Sequence, residues 1–349
     1  MALPTRALGS SGLEITTVGF GSWAIGGGDW AFSWGPQDDS DSILTMHRAL
    51  EHGINWIDTA AVYGLGHSEE VVGRFFKELK PADRPLVFTK GGLVWDENNP
   101  REVAKRILKP DSIRRECEAS LRRLGIERID LYQFHWPDET GTPVEESWTA
   151  MAKLIEQGKV RFGGVSNFDV TLLEQCEKVR HVDSLQPPFS MINRKVAAAE
   201  IPWCASHKTG LIAYSPMQSG LLTERFSVEH VSKLAADDWR RRGPEFQQPN
   251  LGRNLALRDA LRPIAKRHLT TTSAVAVAWA IAWPGITGAI VGARTPAQVD
   301  GWIQAASLKL TPEDLAEISS AIEGTHAGEG PANPEKARSA AAPGSWPKA

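Results

Sequence analysis

The sequence predicts an α/β protein, a (β/α)8 barrel with an N-terminal β-hairpin. Three observations predict it. Short apolar runs alternate with amphipathic helical patterns, about eight such βα units can be counted, and a length of 349 residues suits one closed barrel. An open doubly wound sheet is the competing arrangement, and the number of units favours closure.

The elements follow in order. Thr5 to Leu8 and Leu13 to Thr17 flank the turn Gly9-Ser10-Ser11-Gly12 and read as a hairpin. Val18 to Gly21 is the first strand, and a helix from Ser40 to His52 follows, with Ile43, Leu44 and Leu50 on its apolar face. Asn55 to Asp58 is a strand, followed by a helix from Ser68 to Leu79. The strand Leu86 to Lys90 is followed by a helix that opens at Pro110-Asp111-Ser112 and stops at Gly125. Arg128 to His135, Val160 to Val165, Ser184 to Gln186, Gly210 to Tyr214 and Ala289 to Val291 are the remaining strands. Helices are expected at Val144 to Gln157, Val170 to Lys178, Val196 to His207, Asn254 to His268, Thr272 to Ala282 and Thr295 to Ala305. Glu224 to Arg253 is the longest irregular connection, the length of a lid or binding loop. Residues 1–324 are expected to form one domain, and the Ala/Gly/Pro-rich tail 325–349 to be extended or disordered.

Composition narrows the function. Lys+Arg total 39 against 42 Asp+Glu, so no basic excess exists to neutralise phosphates, and partners of the nucleic-acid or membrane-surface kind are not expected. Cys117, Cys176 and Cys204 are an odd set without metal-ligand spacing, which excludes a disulfide scaffold and a zinc module. The first residues carry no apolar leader, and the run Ala274 to Trp283 is far short of the roughly 18 residues that span a bilayer. A cytoplasmic enzyme acting on a small molecule, with no metal, is the expectation.

Polar residues cluster at the C-terminal ends of the apolar strands, the end where barrels build active sites. Alternation sharpens this. Trp56 and Asp58 share a face, as do Phe88 and Lys90, and Leu131, Gln133 and His135. A carboxylate, an ammonium and an imidazole thus converge on one mouth, and Tyr63 lies five residues beyond Asp58 in a loop that can bend over it. An ammonium beside a phenol lowers its pKa, so Asp58, Tyr63, Lys90 and His135 together form a proton-delivering set.

Taken in order, IDTAAVYGLGHSEEVVG, FTKGG, RIDLYQFHWPD, GVSNF, LQPPFS, AYSPMQSGLLT and IVGARTPAQ resemble the aldo-keto reductase family from Gly19 to Gln298. The opening GFGSWAIGGGDW and the segment DDWRRRGPEFQQPN are similar to the bacterial branch of inositol-operon and general-stress reductases. The resemblance implies hydride transfer between NADPH and an aldehyde or ketone, without metal, with NAD the less favoured cofactor. It makes Tyr63 the general acid, Lys90 its pKa-lowering neighbour, Asp58 the anchor of Lys90, and His135 the group that orients the carbonyl oxygen. It assigns Ser166, Asn167 and Gln186 to the nicotinamide carboxamide and Tyr214 to the ring. Ser215, Met217, Gly220 and Leu221 would wrap the pyrophosphate, Arg294 would meet the adenosine 2′-phosphate and Gln298 the adenosine end, with Gly292 also in the cofactor site. Two departures stand out. The family's Gly-Lys after GLLT is Glu224-Arg225, with Arg225 in place of the lysine, and its acidic-Asn pair is Gly301-Trp302, so the usual adenine contacts are not carried over.

Competing motifs are weaker. Gly19 to Ala24 matches GxGxxA, but loop residues rather than a helix follow, so Gly21, Ser22 and Trp23 read as a barrel loop approaching the nicotinamide. Gly164 to Phe168 lacks the last glycine of a nucleophile elbow. Trp23, Trp30, Trp95 and Trp136 are candidates for the substrate pocket, and Arg240 to Arg242 reads as a solvated loop or part of a lid. Two alternatives accompany the reductase. One is a sugar or polyol dehydrogenase running the same chemistry towards oxidation, and the other a cofactor-binding regulatory module similar to potassium-channel β subunits.

Overall fold

The structure, a computed structural model, describes residues 2–340. The N-terminal hairpin pairs Thr5–Ala7 with Glu14–Thr16 in antiparallel register. The barrel strands follow as β1 (Val18–Gly21), β2 (Trp56–Asp58), β3 (Leu86–Gly91), β4 (Ile129–Phe134), β5 (Val160–Ser166), β6 (Ser184–Gln186), β7 (Gly210–Tyr214) and β8 (Gly288–Gly292). All eight are parallel, each pairs with its neighbour in sequence, and β8 returns to β1 with Ala289 opposite Val18 and Gly292 opposite Gly21, which closes the barrel. Eight strands close at a radius that side chains fill, so the interior is packed rather than open.

The hairpin caps the N-terminal end. Leu8, Leu13 and Ile15 meet Trp56, Phe88, Leu131, Ile212 and Ile290 in one apolar plug. Trp56 is completely buried, and its indole N–H donates to the Thr16 carbonyl at 2.9 Å. Gly19 makes room for it, since a Cβ there would fall 2.2 Å from the Trp56 ring. The second and larger core lies between the strands and the outer helices. The most apolar segment is the helix Thr272–Ala282, buried from Ala274 to Ile281. Among the described residues no helix is long and apolar enough to cross a membrane.

Several expectations needed revision, each for a local reason. The helix expected over 254–268 is two, Asn250–Ala260 and Arg262–Arg267, because Pro263 has no N–H to continue the first. The helix expected from Val196 starts at Glu200, which puts Pro202 in its first turn, where proline is tolerated. The last predicted helix stops at Asp300, capped by Gly301. In Asp39–Glu51 the buried stripe is Ser42, Thr45, Met46 and Ala49, while Leu44 is exposed. The connection 224–253 is not structureless. It holds a short helix, Val228–Ser232, and the 3-10 turns Trp239–Arg241 and Pro244–Phe246, and buries Phe226, Asp238, Arg240 and Phe246.

The expected tail docks instead. Beyond the helix Pro312–Thr325, the amide of Glu329 donates to the Ile192 carbonyl at 2.9 Å, the amide of Arg194 donates back to Glu329, and Pro334–Ala340 is helical with Ala337 buried. Small residues let the chain come this close, and a Cβ on Gly328 would overlap the Ile192 carbonyl. The rest of the expected tail, 341–349, lies outside the described residues.

Candidate active site

Asp58 ends β2 and Lys90 stands one residue before the end of β3, and both side chains point into the barrel above the apolar plug. Lys90 Nζ donates to Asp58 Oδ1 at 2.5 Å and to the Thr59 carbonyl at 2.9 Å, with 1 % of the lysine exposed. The other carboxylate oxygen is held by amides. Gln186 Nε2 donates to Oδ2 at 2.9 Å and Gln133 Nε2 at 3.4 Å, and the two glutamines are joined at 3.1 Å. Burial pushes Asp58 up and Lys90 down, each towards its neutral form, and their mutual contact opposes both shifts.

Tyr63 follows in the loop after β2. The residues Tyr63–Gly66 make a tight turn with Gly64 at φ 61° and Leu65 at φ 56°. Gly64 is required for a second reason, since a Cβ there would lie 1.9 Å from the Gly26 carbonyl, where the loops after β1 and β2 press together. This brings the phenol to Lys90, whose Nζ is 3.5 Å from the hydroxyl and 5.1 Å from the ring centre. The expected lowering of the phenol's pKa is reversed in the free protein. Burial, then the Asp58 charge, then Tyr214 hold Tyr63 well above its ordinary value. Burial is the larger cause, and the ammonium, 2.5 Å from Asp58 and 3.5 Å from the phenol, does not offset it. His135, just past β4, places its ring 5.6 Å from that of Tyr63, edge to face. Burial and then the Lys90 charge lower its pKa well below the usual histidine value, so the imidazole is neutral.

The residues expected to hold a nicotinamide carboxamide are linked to this set. Tyr214 Oη donates to Asn167 Oδ1 at 2.9 Å, and Asn167 Nδ2 donates to the His135 carbonyl and to Ser166 Oγ, each at 3.0 Å. Ser166 Oγ donates to the Gln186 carbonyl at 2.7 Å. Asn167 holds φ 61°, a left-handed setting that turns its amide over the strand ends.

Aromatic rings cover the mouth. Trp23 stacks 6.1 Å from Tyr63 on one side and 5.4 Å from Trp239 on the other, and Trp34 meets both tryptophans edge-on. Trp30 and Trp95 join the same cluster around Ala60 and Val62. Trp136 stands apart, under the Arg106 guanidinium at 4.3 Å. Trp239 was missed by sequence reasoning. Its segment was recognised, but no local pattern tells which residue of a long loop turns inward.

At the adenosine end, Arg294 donates to Gln37 Oε1 at 2.7 Å and to the carbonyls of Trp34 and Pro36, while its amide donates to Gln298 Oε1 at 2.7 Å. No carboxylate lies within ion-pair distance of it among the described residues. Arg225 is exposed and makes no hydrogen bond among the described residues, and Glu224, also exposed, accepts from the Thr272 amide at 3.4 Å. Gly21 and Ser22 are buried at the end of β1, where the Ser22 amide donates to the Asp58 carbonyl at 2.9 Å. The loop after β7 is tightly wound, with Ser215, Gln218, Ser219 and Gly220 all at positive φ, Met217 half-buried and Leu221 buried.

These residues fit a dinucleotide. The arginine without an acidic partner suits a phosphate, the strained loop resembles ligand clamps, and His135 Nδ1, Trp34 Nε1 and Trp239 Nε1 are buried without partners. A closed parallel barrel thus holds, at its C-terminal mouth, a buried acid–ammonium–phenol chain beside a neutral imidazole, a set with the chemistry to hold and pass a proton.

The sequence profile of the Aldo/keto reductase family matches residues 17–323, and the chain belongs to that family. It is 35 % identical to aldo-keto reductase YhdN of Bacillus subtilis (strain 168), over 91 % of this chain and 93 % of that one. It is 32 % identical to the NADH-specific methylglyoxal reductase of Escherichia coli (strain K12), over 90 % of this chain and 98 % of the relative. Among solved structures, the glycerol dehydrogenase AKR11B4 from Gluconobacter oxydans superposes with a TM-score of 0.84 at 36 % identity, covering 94 % of this chain and 98 % of the other. The fold is the TIM barrel of aldo-keto reductases, and an oxidoreductase follows from the family.

Proposed function

We propose that this chain reversibly reduces aldehydes or ketones with NADPH, Tyr63 donating the proton. The observation that carries the reading is the buried sequence of contacts Asp58–Lys90–Tyr63 beside a neutral His135. The nicotinamide, when bound, supplies or takes up the hydride. Tyr63, kept protonated at neutral pH by its burial, gives its proton to the carbonyl oxygen. The phenolate left behind faces the Lys90 ammonium, which Asp58, Gln133 and Gln186 keep charged and in place. His135 donates a hydrogen bond that orients the carbonyl oxygen, and Trp23, Trp30 and Trp95 exclude water from the mouth. Ser166, Asn167, Gln186 and Tyr214 hold the nicotinamide end, and Arg294 the 2′-phosphate. Its lack of a carboxylate partner favours NADP(H), whereas the similarity to an NADH-specific relative keeps NADH as the alternative to be tested. The enzyme would work in the cytoplasm on a small carbonyl compound, with no metal and no nucleic-acid partner.

Oxidation of a polyol is a second reading, favoured by the similarity to a glycerol dehydrogenase. The deciding experiment is NADPH and NADH consumption over a panel of aldehydes and ketones, and reduction of NADP and NAD by polyols, each with Tyr63→Phe as control. Tyr63-dependent consumption with a carbonyl supports the reductase, and turnover confined to alcohols supports the dehydrogenase. Tight cofactor binding with no turnover in either direction would point to the regulatory module instead.

A further inference from the structure

Lys90 is held from outside the barrel wall as well as from within. Strand alternation turns Lys90 inward and its neighbour Thr89 outward, towards the helices. There Thr89 Oγ1 donates to Glu69 Oε1 at 2.5 Å, and Arg123 Nε donates to Glu69 Oε2 at 2.7 Å. Glu69 and Thr89 are both completely buried. Each oxygen of the carboxylate thus accepts from a donor on a different element, which fixes its direction. The ion pair with Arg123 alone would be an ordinary staple between two helices. The hydroxyl of the residue next to Lys90 ties it to the chemistry. Burial, the largest influence on Lys90, favours the neutral amine; Asp58 opposes it first and the Glu69 charge after it.

Glu69 also belongs to the helix that begins where the Tyr63 turn ends. The turn Tyr63–Gly66 runs straight into the helix His67–Lys77, and Glu69 lies in the first turn of that helix. Arg123, from the last turn of the helix Pro110–Leu124, closes over the end of the Tyr63 turn, since a Cβ on Gly66 would stand 2.9 Å from its Cδ. Ser68 adds a second tie, with its Oγ 3.0 Å from Oγ1 of Thr59, the residue whose carbonyl accepts from Lys90 Nζ. Behind the wall, one carboxylate therefore joins the segment that carries the phenol to the strand that carries the ammonium. In front of it, Lys90 Nζ and the Tyr63 hydroxyl meet at 3.5 Å. A hydrogen bond that long holds its partners weakly, so their separation is set by what holds their backbones.

We infer that Glu69 is a positioning residue for proton transfer: through Thr89 it sets the separation between the Lys90 ammonium and the Tyr63 hydroxyl. It lies behind the barrel wall, away from substrate and cofactor, and acts only through the two segments it locks together. Its role rests on the proton-donor reading of Tyr63 above and adds to that reading the group that fixes the donor's distance from its cation.

The test compares the full-length wild type with Thr89→Val, Thr89→Ser and Glu69→Gln. Valine keeps the volume of threonine and removes the donor, serine keeps the donor, and glutamine keeps the shape of glutamate and removes its charge. kcat and KM are measured for one aldehyde at saturating cofactor, and the separation of Lys90 Nζ from Tyr63 Oη is read from crystal structures of the same proteins without cofactor. Because a misplacement of about 1 Å costs on the order of 10²-fold in rate, kcat should fall about 10- to 100-fold in Thr89→Val and in Glu69→Gln, with KM within about twofold of the wild type. The separation should widen beyond 3.5 Å in both. Thr89→Ser should return rate and separation to wild-type values. A lowered melting temperature with unchanged kcat in Thr89→Val would make Glu69 a structural staple only and overturn the inference. An unchanged separation in Thr89→Val, or a serine variant no faster than the valine one, would overturn it as well. If Glu69→Gln does not fold, Thr89→Val, which leaves the Glu69–Arg123 ion pair in place, carries the test. A wild type no faster than Tyr63→Phe would overturn the proton-donor reading instead, and the crystallographic separations would still decide whether Glu69 sets the distance.

Discussion

At the N-terminal end of the barrel, Trp56, Phe88, Leu131, Ile212 and Ile290 meet the hairpin in a plug made entirely of apolar side chains. Two residues along the same strands, Asp58 and Lys90 carry opposite charges with almost no exposure, and Gln133 and Gln186 satisfy what the ion pair leaves over. The lower layer stabilises through area and shape, since burying large side chains contributes roughly 25 cal/mol per Å² of apolar surface. The upper layer opposes folding on its own terms, because two charges brought out of water recover the desolvation cost only when their geometry and remaining hydrogen bonds are nearly complete. The difference separates a layer that stabilises the barrel from one that costs it stability, on strands that are continuous from one layer to the next.

The sharpest way to break the comparison is to change one residue at each end. Tyr63→Phe should lower the rate of carbonyl reduction by about 10²–10⁴-fold while the unfolding midpoint stays near that of the wild type. Trp56→Ala should do the reverse, costing about 3–5 kcal/mol in denaturant unfolding while the folded fraction keeps its turnover. Equal turnover in Tyr63→Phe and wild type would remove the proton-donor role.

Next in size is the ion pair. Lys90→Met leaves Asp58 buried without its partner and should destabilise by about 3–5 kcal/mol. Adding Asp58→Asn should restore much of that stability and none of the activity. If the double variant is no more stable than the single one, the pair is needed for folding and the contrast between the layers fails.

A smaller effect is expected at the adenosine end. Arg294→Ala should weaken NADPH more than NADH by about 1–3 kcal/mol, read from the two dissociation constants. An unchanged preference would take Arg294 out of the phosphate site.

The smallest expected change is an absence of change with pH. Tyr63 acts as an acid in its protonated form, and its pKa is raised above the ordinary phenol value of 10.0, so reduction should fall only at strongly alkaline pH. His135 is held neutral by a pKa well below 6.5, so no inflection near that value should appear in kcat/KM for reduction. A bell with its acidic limb near neutral pH would show that the imidazole does titrate there.

Much of the fold was legible because its signals are local. All eight barrel strands lie where apolar runs bounded by turns and helices place them, and the alternation that set Asp58, Lys90 and His135 on one face holds in the barrel. One local signal went unused. Thr311 and Asp314 form a capping box at the start of the helix Pro312–Thr325, a pattern visible in the residues themselves. The small hairpin Leu93–Val94 with Lys105–Arg106, which sets Trp95 beside the mouth, has strands too short to leave a periodic trace.

The sequence by itself determined the order of strands and the placement of Asp58, Lys90 and His135 at one end of the barrel, because each follows from periodicity within a few residues, whereas Tyr63 lies in the loop beyond and was picked out by its distance from Asp58 along the chain. Tertiary structure alone decided what those side chains touch. Gln186 reaches Asp58 across 128 residues, Arg294 reaches Gln37 across 257, and Arg194 donates a hydrogen bond to the Gly330 carbonyl across 136. Such pairs exist only once the barrel has closed, and no local pattern encodes them. The same holds for the balance of fields at Tyr63. Residue types alone suggest an ammonium that acidifies the phenol, and only the tertiary structure shows that burial prevails.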